Sequence, residues 1–128
     1  MFSHVMVGTN DMEASKAFYD ALLAVLGHKP GVTDDKGRCF YFNRGGTFAL
    51  TTPINGEPAC PANGGTIGFA ADSIELVDAW HATGVANGGI PIEDPPGIRG
   101  SGAMQLYLAY LRDPSGNKIC AMHRVVET

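Results

Sequence analysis

The sequence predicts an α+β fold of two tandem βαβββ modules, whose mixed, mostly antiparallel sheets form a concave cleft. Three observations predict it. The chain repeats internally: HVMVGTNDMEASKAFYDAL falls on TIGFAADSIELVDAWHATG, pairing His4 with Thr66, an offset of 62 residues. Within each copy a short β-prone run gives way to helical periodicity. Each half then ends in two apolar runs joined by a turn signal, Gly45-Gly46 in the first and Asp113-Pro114-Ser115-Gly116 in the second.

Element by element, residues 4–8 read as the opening strand. Asn10 is the expected N-cap of the first helix, with Glu13 three positions on in a capping-box arrangement. Ala14, Phe18, Ala21, Leu22 and Val25 form its apolar stripe, and Gly27 and Pro30 stop it. GRCFYFNR and TFALTTP follow as strands, with one more short strand expected before them. INGEPACPANGG lacks periodicity and collects turn formers, so residues 54–65 read as a linker. Module one therefore covers about 1–53 and module two about 66–128.

The second copy repeats the plan. Asp72 is its expected N-cap with Glu75 in step, and Val77, Trp80, Gly84 and Val85 make the stripe. IPIE reads as a short strand, EDPPGIRGSGA as an irregular flap, and AMQLYLAYL with KICAMHR as the closing hairpin. In the last strand Cys120 and Met122 share one face, and Ile119, Ala121 and His123 the other.

Composition narrows the function classes. The 128 residues are 45% hydrophobic and 17% charged, enough for one domain with a real core. A net charge of −4 argues against nucleic acid, which demands a basic face. No apolar run approaches the roughly 20 residues of a membrane helix, and MFSHVMVG lacks the regions of a signal peptide. Three cysteines, at spacings unlike any zinc motif, fit reduced thiols. A cytoplasmic location is the expectation.

The tandem repeat, the opening HVMVGTNDMEASKAFYDALLAVLG and the closing YLAYLRDPSGNKICAMH resemble the vicinal oxygen chelate (VOC) superfamily. That group includes glyoxalase I (lactoylglutathione lyase), bleomycin and fosfomycin resistance proteins, and extradiol dioxygenases. The resemblance covers nearly the whole chain and implies that fold. Its activities differ among members, so function has to come from the site. In metal-using members a divalent ion is held by residues of the first and last strands of each module. The resemblance places His4 and Thr66 at the first-strand positions. Leu50 and Cys120 take the last-strand positions, counted from Gly46 and Gly116. A glutamate is usual where Cys120 stands, and often a histidine where Thr66 stands. Leucine offers no ligand and threonine a poor one. The metal set thus reduces to His4 and Cys120, short of the roughly three protein ligands of a catalytic centre. The family also implies a homodimer.

The remaining side chains have plainer readings beside the functional ones. Cys120 reads as a small buried hydrophobe unless a nearby cation lowers its pKa. Cys39 reads as core and Cys60 as an exposed loop thiol. His28 suits a helix end, His81 a helix-surface or packing position, and His123 faces away from Cys120. Arg99 in the flap is a candidate clamp for a carboxylate or phosphate. Tyr107 and Tyr110 point to opposite faces, so one of them lines the cleft, and Tyr107, Met122, Thr66 and Leu50 join Arg99 as substrate-contact candidates. Phe40 and Phe42 share a face opposite Tyr41, and one of these two sets is expected to form a pocket wall. Two functions compete. One is a glyoxalase-like lyase, isomerase or transferase acting on a vicinal-oxygen substrate between the modules. The other is a metal-free ligand-binding protein of the bleomycin-resistance type. A metal-free enzyme using Cys120 or His4 directly is a third.

Overall fold

The computed structural model describes residues 1–125. The last three residues assigned to module two lie outside that range. Module one is β1 (His4–Gly8), α1 (Met12–Ala24), β2 (Val32–Thr33), β3 (Cys39–Tyr41) and β4 (Thr47–Thr51). Module two is β5 (Ile67–Ala70), α2 (Ile74–Ala86), β6 (Ile90–Pro91), β7 (Gly97–Arg99), β8 (Leu106–Arg112) and β9 (Lys118–Arg124). The expected tandem βαβββ plan is present. One addition departs from it: the flap contains β7, paired with β8, and a 3-10 turn at Gly102–Met104.

Each module makes its own mixed sheet. In module one the order is β1-β4-β3-β2, and in module two β5-β9-β8-β6. The first strand of each lies parallel to the last, β1 on β4 and β5 on β9, while the other pairs are antiparallel. Such a parallel pair needs a crossover, and each module's helix begins it.

Both helices start one residue later than the caps expected from sequence. Asp11 caps α1 by accepting from Ala14 N, and Ser73 caps α2 by accepting from Leu76 N. Asn10 is otherwise engaged, because its side chain makes two hydrogen bonds with the backbone of Ala59 and so holds the linker. The buried side of α1 is Ser15, Phe18, Tyr19, Leu22 and Leu23; of the expected stripe, Phe18 and Leu22 are among them, while Ala14, Ala21 and Val25 are half-buried. On α2, Val77, Trp80 and Gly84 are buried as expected, whereas Val85 is exposed.

The extra buried positions on α1 follow from the way the modules meet. One hydrophobic core runs through both, from Cys39, Tyr41 and Leu50 past Phe18, Tyr19 and Leu22 to Trp80, Leu111 and Ile119. Phe48 of β4 meets Phe69 of β5 edge-on at 5.2 Å, and Phe69 meets Trp80 at 6.5 Å. At Gly84 a Cβ would come within 2.2 Å of Leu111 Cδ1 and 3.1 Å of Leu22 Cδ1. Glycine there lets α2 close on both neighbours.

The motif DPSGN joins the modules by polar contacts. Tyr19 Oη donates to Asp113 Oδ2 at 2.6 Å, and Asn117 Nδ2 donates to the same oxygen at 2.9 Å and to Gly8 O at 2.8 Å. Asp113 Oδ1 accepts from the backbone of Ser115 and Asn117. Thr9 and Ser15 hydroxyls, 2.6 Å apart, continue the network to Ser115. Asp113, Thr9 and Ser15 are buried, so these bonds satisfy groups that would be costly to leave alone.

Candidate ligand-binding site between the modules

Strand parity decides which candidates can meet a ligand. In β1 and β4, Val5 and Val7 pair with Phe48 and Leu50 on the side that faces the core. His4, Met6 and Gly8 pair with Thr47, Ala49 and Thr51 on the opposite, outer side. In module two, Gly68 and Ala70 pair with Cys120 and Met122 on the outer side, while Ile119 and Ala121 face the core.

This corrects one position. Leu50 is not the counterpart of Cys120, because it is fully buried in the core, on the other side of its strand from His4. The counterpart is Ala49: Met6 pairs with Ala49 as Gly68 pairs with Cys120, and Met6 and Gly68 are repeat equivalents. The count from the hairpin glycines slips because Asn117 adds one residue between Gly116 and β9, whereas Gly46 leads straight into β4. A slip of one residue exchanges the faces of a strand.

Tyr107 is corrected too. It points to the helix side, where its hydroxyl donates to Asp78 of α2 at 2.7 Å. Tyr110 is the tyrosine on the face of Cys120, its pair across β8 and β9. His123, opposite Tyr107, is turned from Cys120 as its parity requires, and its Nδ1 lies 2.9 Å from Ala71 O. Arg99 donates within its own loop, to Gly97 O at 3.0 Å and Asp94 O at 2.9 Å, bonds that hold its guanidinium against the flap. Met122 lies on the outer side and is half-buried, and Thr66, just before β5, is exposed.

The donor set at the four family positions is therefore His4, Ala49, Thr66 and Cys120. His4 is exposed, with Ser3 Oγ 2.8 Å from its Nδ1. Cys120 is 6% exposed. Burial pushes its thiol up to about 11, with Lys118 opposing the shift and Glu93 adding to it. At neutral pH it is a thiol, and the thiolate is the form that attacks an electrophile. One imidazole, one neutral hydroxyl, one buried thiol and a methyl group fall short of the roughly three good ligands of a divalent metal centre. Among the described residues no group of three His, Cys, Asp or Glu side chains could together hold an ion.

What the fold does build is a trough where module one meets β5. Two adjoining hollows, of about 320 and 250 Å³, share Gly45, Gly46, Phe48, Gly68 and Phe69 as walls. His28 and Tyr41 border the first hollow, and His4 and Phe2 the second. Asn43 Nδ2 lies 3.2 Å from His28 Nδ1. Glycines stand on both walls: Gly46, at φ 143°, turns the β3–β4 hairpin, and Gly68 of β5 has Cys120 Sγ 3.2 Å from where a Cβ would stand. Cys120 is not among the walls, so the trough brings in His4 without it. Sequence reading missed His28 here, whereas of the two faces of β3 it offered as a pocket wall, that of Tyr41 borders the hollow. His28 looked like a helix end, and nothing local shows that the hairpin turn swings toward β5.

Paired βαβββ units that meet across such a trough define the class of fold. The profile of the Glyoxalase/Bleomycin resistance protein/Dioxygenase superfamily matches residues 1–121, and the chain belongs to that superfamily. A solved glyoxalase/bleomycin resistance protein from Albidiferax ferrireducens T118 is 63% identical, with a TM-score of 0.93 over 97% of this chain and 99% of that one. Two more distant structures share the fold. A glyoxalase/bleomycin resistance protein/dioxygenase family enzyme from Burkholderia phytofirmans PsJN is 19% identical, with a TM-score of 0.71 over 96% and 98% of the two chains. A glyoxalase-related enzyme from Fulvimarina pelagi is 20% identical, also at 0.71, over 94% and 85%. No curated protein matches the chain.

Proposed function

We propose that the protein binds a small organic molecule non-covalently in the inter-module trough, without a resident metal. The observation that carries this reading is the donor set: Ala49 offers no ligand and Thr66 a poor one, which leaves His4 and a buried Cys120, short of the roughly three protein ligands of a metal centre. The walls supply what such a ligand needs instead. Tyr41, Phe48 and Phe69 give an aromatic lining, and His4 and His28 give hydrogen-bonding groups at the two rims. The ligand class that suits this lining is a flat or cyclic molecule with a polar group at each end.

The test is a ligand-observed NMR screen of aromatic and polyhydroxylated compounds, run beside titrations with nickel, zinc, manganese and iron(II). Binding that weakens at least tenfold in Phe69→Ala, with no thermal shift from any metal, supports the reading. A stoichiometric metal, together with turnover of the thiol adduct of a 2-oxoaldehyde, would replace it with the lyase, isomerase or transferase reading.

The assembly proposed is a homodimer. β1 and β5 each end a sheet with one edge unpaired in strand order, and Phe42, 66% exposed, stacks on Phe40 at 5.6 Å on the uncovered face of module one. Sedimentation analysis of the wild type and Phe42→Ser checks this: a monomeric wild type at micromolar concentration rejects it.

A further inference from the structure

We infer that a second cavity, away from the trough, is a binding site for the carboxylate or phosphate group of a small molecule. It measures about 470 Å³ and lies between linker residues 61–65 and the base of the β8–β9 hairpin, where Arg112, Gly116 and Lys118 form its other wall. It shares no lining residue with the trough.

The argument begins with an arrangement that stability alone disfavours. Arg112 and Lys118 are directly opposite each other across the antiparallel pair, on the same face. Like charges in that relation repel and destabilise the sheet. Nearby carboxylates compensate for only one of the two. Glu93 forms a salt bridge with Lys118. The other acidic neighbour, Asp113, is buried and spends both oxygens on Tyr19, Asn117 and the turn backbone. Among the described residues no carboxylate lies within salt-bridge distance of Arg112, whose Nη1 donates to Gly116 O at 2.8 Å. That bond fixes the guanidinium at the cavity wall with other N–H groups to spare, since the fork carries five donors. A planar, positioned guanidinium beside an ammonium is the pairing that holds an oxyanion.

The remainder of the cavity suits the same ligand. The linker contributes the Asn63 amide and the small residues Ala62, Gly64 and Gly65, leaving room for a group several atoms across. Its position is secured, because the Asn10 side chain makes two hydrogen bonds with the backbone of Ala59. Glu93, the one described residue apart from glycine at positive φ (59°), is held in a conformation that costs free energy. It gives Lys118 an internal counter-ion that an incoming anion would displace.

The experiment is a titration of the isotope-labelled protein with inorganic phosphate and, separately, acetate, each against sodium chloride at equal ionic strength. The expected result is saturable amide shifts at residues 63–65 and 116–118 with phosphate, acetate or both, and none with chloride. The stronger of the two identifies the anion class. Arg112→Gln should weaken binding at least tenfold, and Glu93→Gln should strengthen it several-fold by freeing Lys118. Because Glu93→Gln predicts a gain, the idea stays testable even if Arg112→Gln folds poorly. Shifts that chloride reproduces, or binding unchanged in Glu93→Gln, would overturn it. Neither outcome bears on the trough, whose ligand screen has a separate readout.

Discussion

Tyr19 and Asp113, 94 positions apart in the chain, meet through a hydrogen bond of 2.6 Å that fastens the first helix to the last hairpin. Tyr19 is fully buried, and its phenol is held well above its ordinary pKa by burial and by the Asp113 carboxylate. The bond is therefore always made by the neutral phenol. Tyr19→Phe should cost about 1.5–3 kcal/mol, the range for a hydrogen bond to a charged group. Tyr107→Phe, which removes an exposed bond to Asp78, should cost no more than about 0.5 kcal/mol. Urea unfolding of both variants checks this, and equal losses would refute the role given to Asp113.

Gly84 is where α1, α2 and β8 converge. Gly84→Ala places a methyl group against Leu111 and Leu22 at separations that carbon atoms do not tolerate. Overpacking of this kind costs about 1–3 kcal/mol, although alanine favours a helix over glycine by up to about 1 kcal/mol. A net loss is expected, and thermal unfolding that shows a stabilised variant would contradict the packing described.

Asp20 contributes to the acid dependence of stability. Burial works against its ionised form, but bonds from Gly31 N, Lys16 Nζ and Tyr41 Oη outweigh it and hold the carboxyl below its usual range. A lowered folded-state pKa means the stabilisation is present above the unfolded value of about 3.9 and is lost as pH falls through the folded value. Asp20→Asn should cost about 1 kcal/mol at pH 7. That difference should shrink below about pH 4. A gap that stays constant from pH 7 to pH 3 would show that the charge is not involved.

Thiol reactivity should follow exposure. Cys60 is exposed, whereas Cys39 and Cys120 are buried, and burial raises both of their pKa values. One equivalent of iodoacetamide at pH 8 should label Cys60 first, with Cys120 reacting at least tenfold more slowly. Peptide mapping reads this directly. Fast labelling of Cys120 would restore the nucleophile reading that its burial argues against.

Much of this molecule is local in origin. The 62-residue repeat, the change of hydrophobic period in each copy and the turn residues of the hairpins specify two βαβββ modules, because each is a property of neighbours along the chain. The closing strand, Lys118–Arg124, and its alternation of faces follow from the same logic. Tertiary structure decided the rest. Asn10 reads as a cap until the linker arrives to take its side chain, and Leu50 reads as a site residue until Asn117 is seen to lengthen only the second hairpin. The trough exists because Phe48 meets Phe69 and leaves space beside Gly46 and Gly68, a relation between segments some twenty residues apart. Periodicity records which way a side chain points relative to its own strand. It carries no record of which other strand will stand opposite, and that is what makes a site.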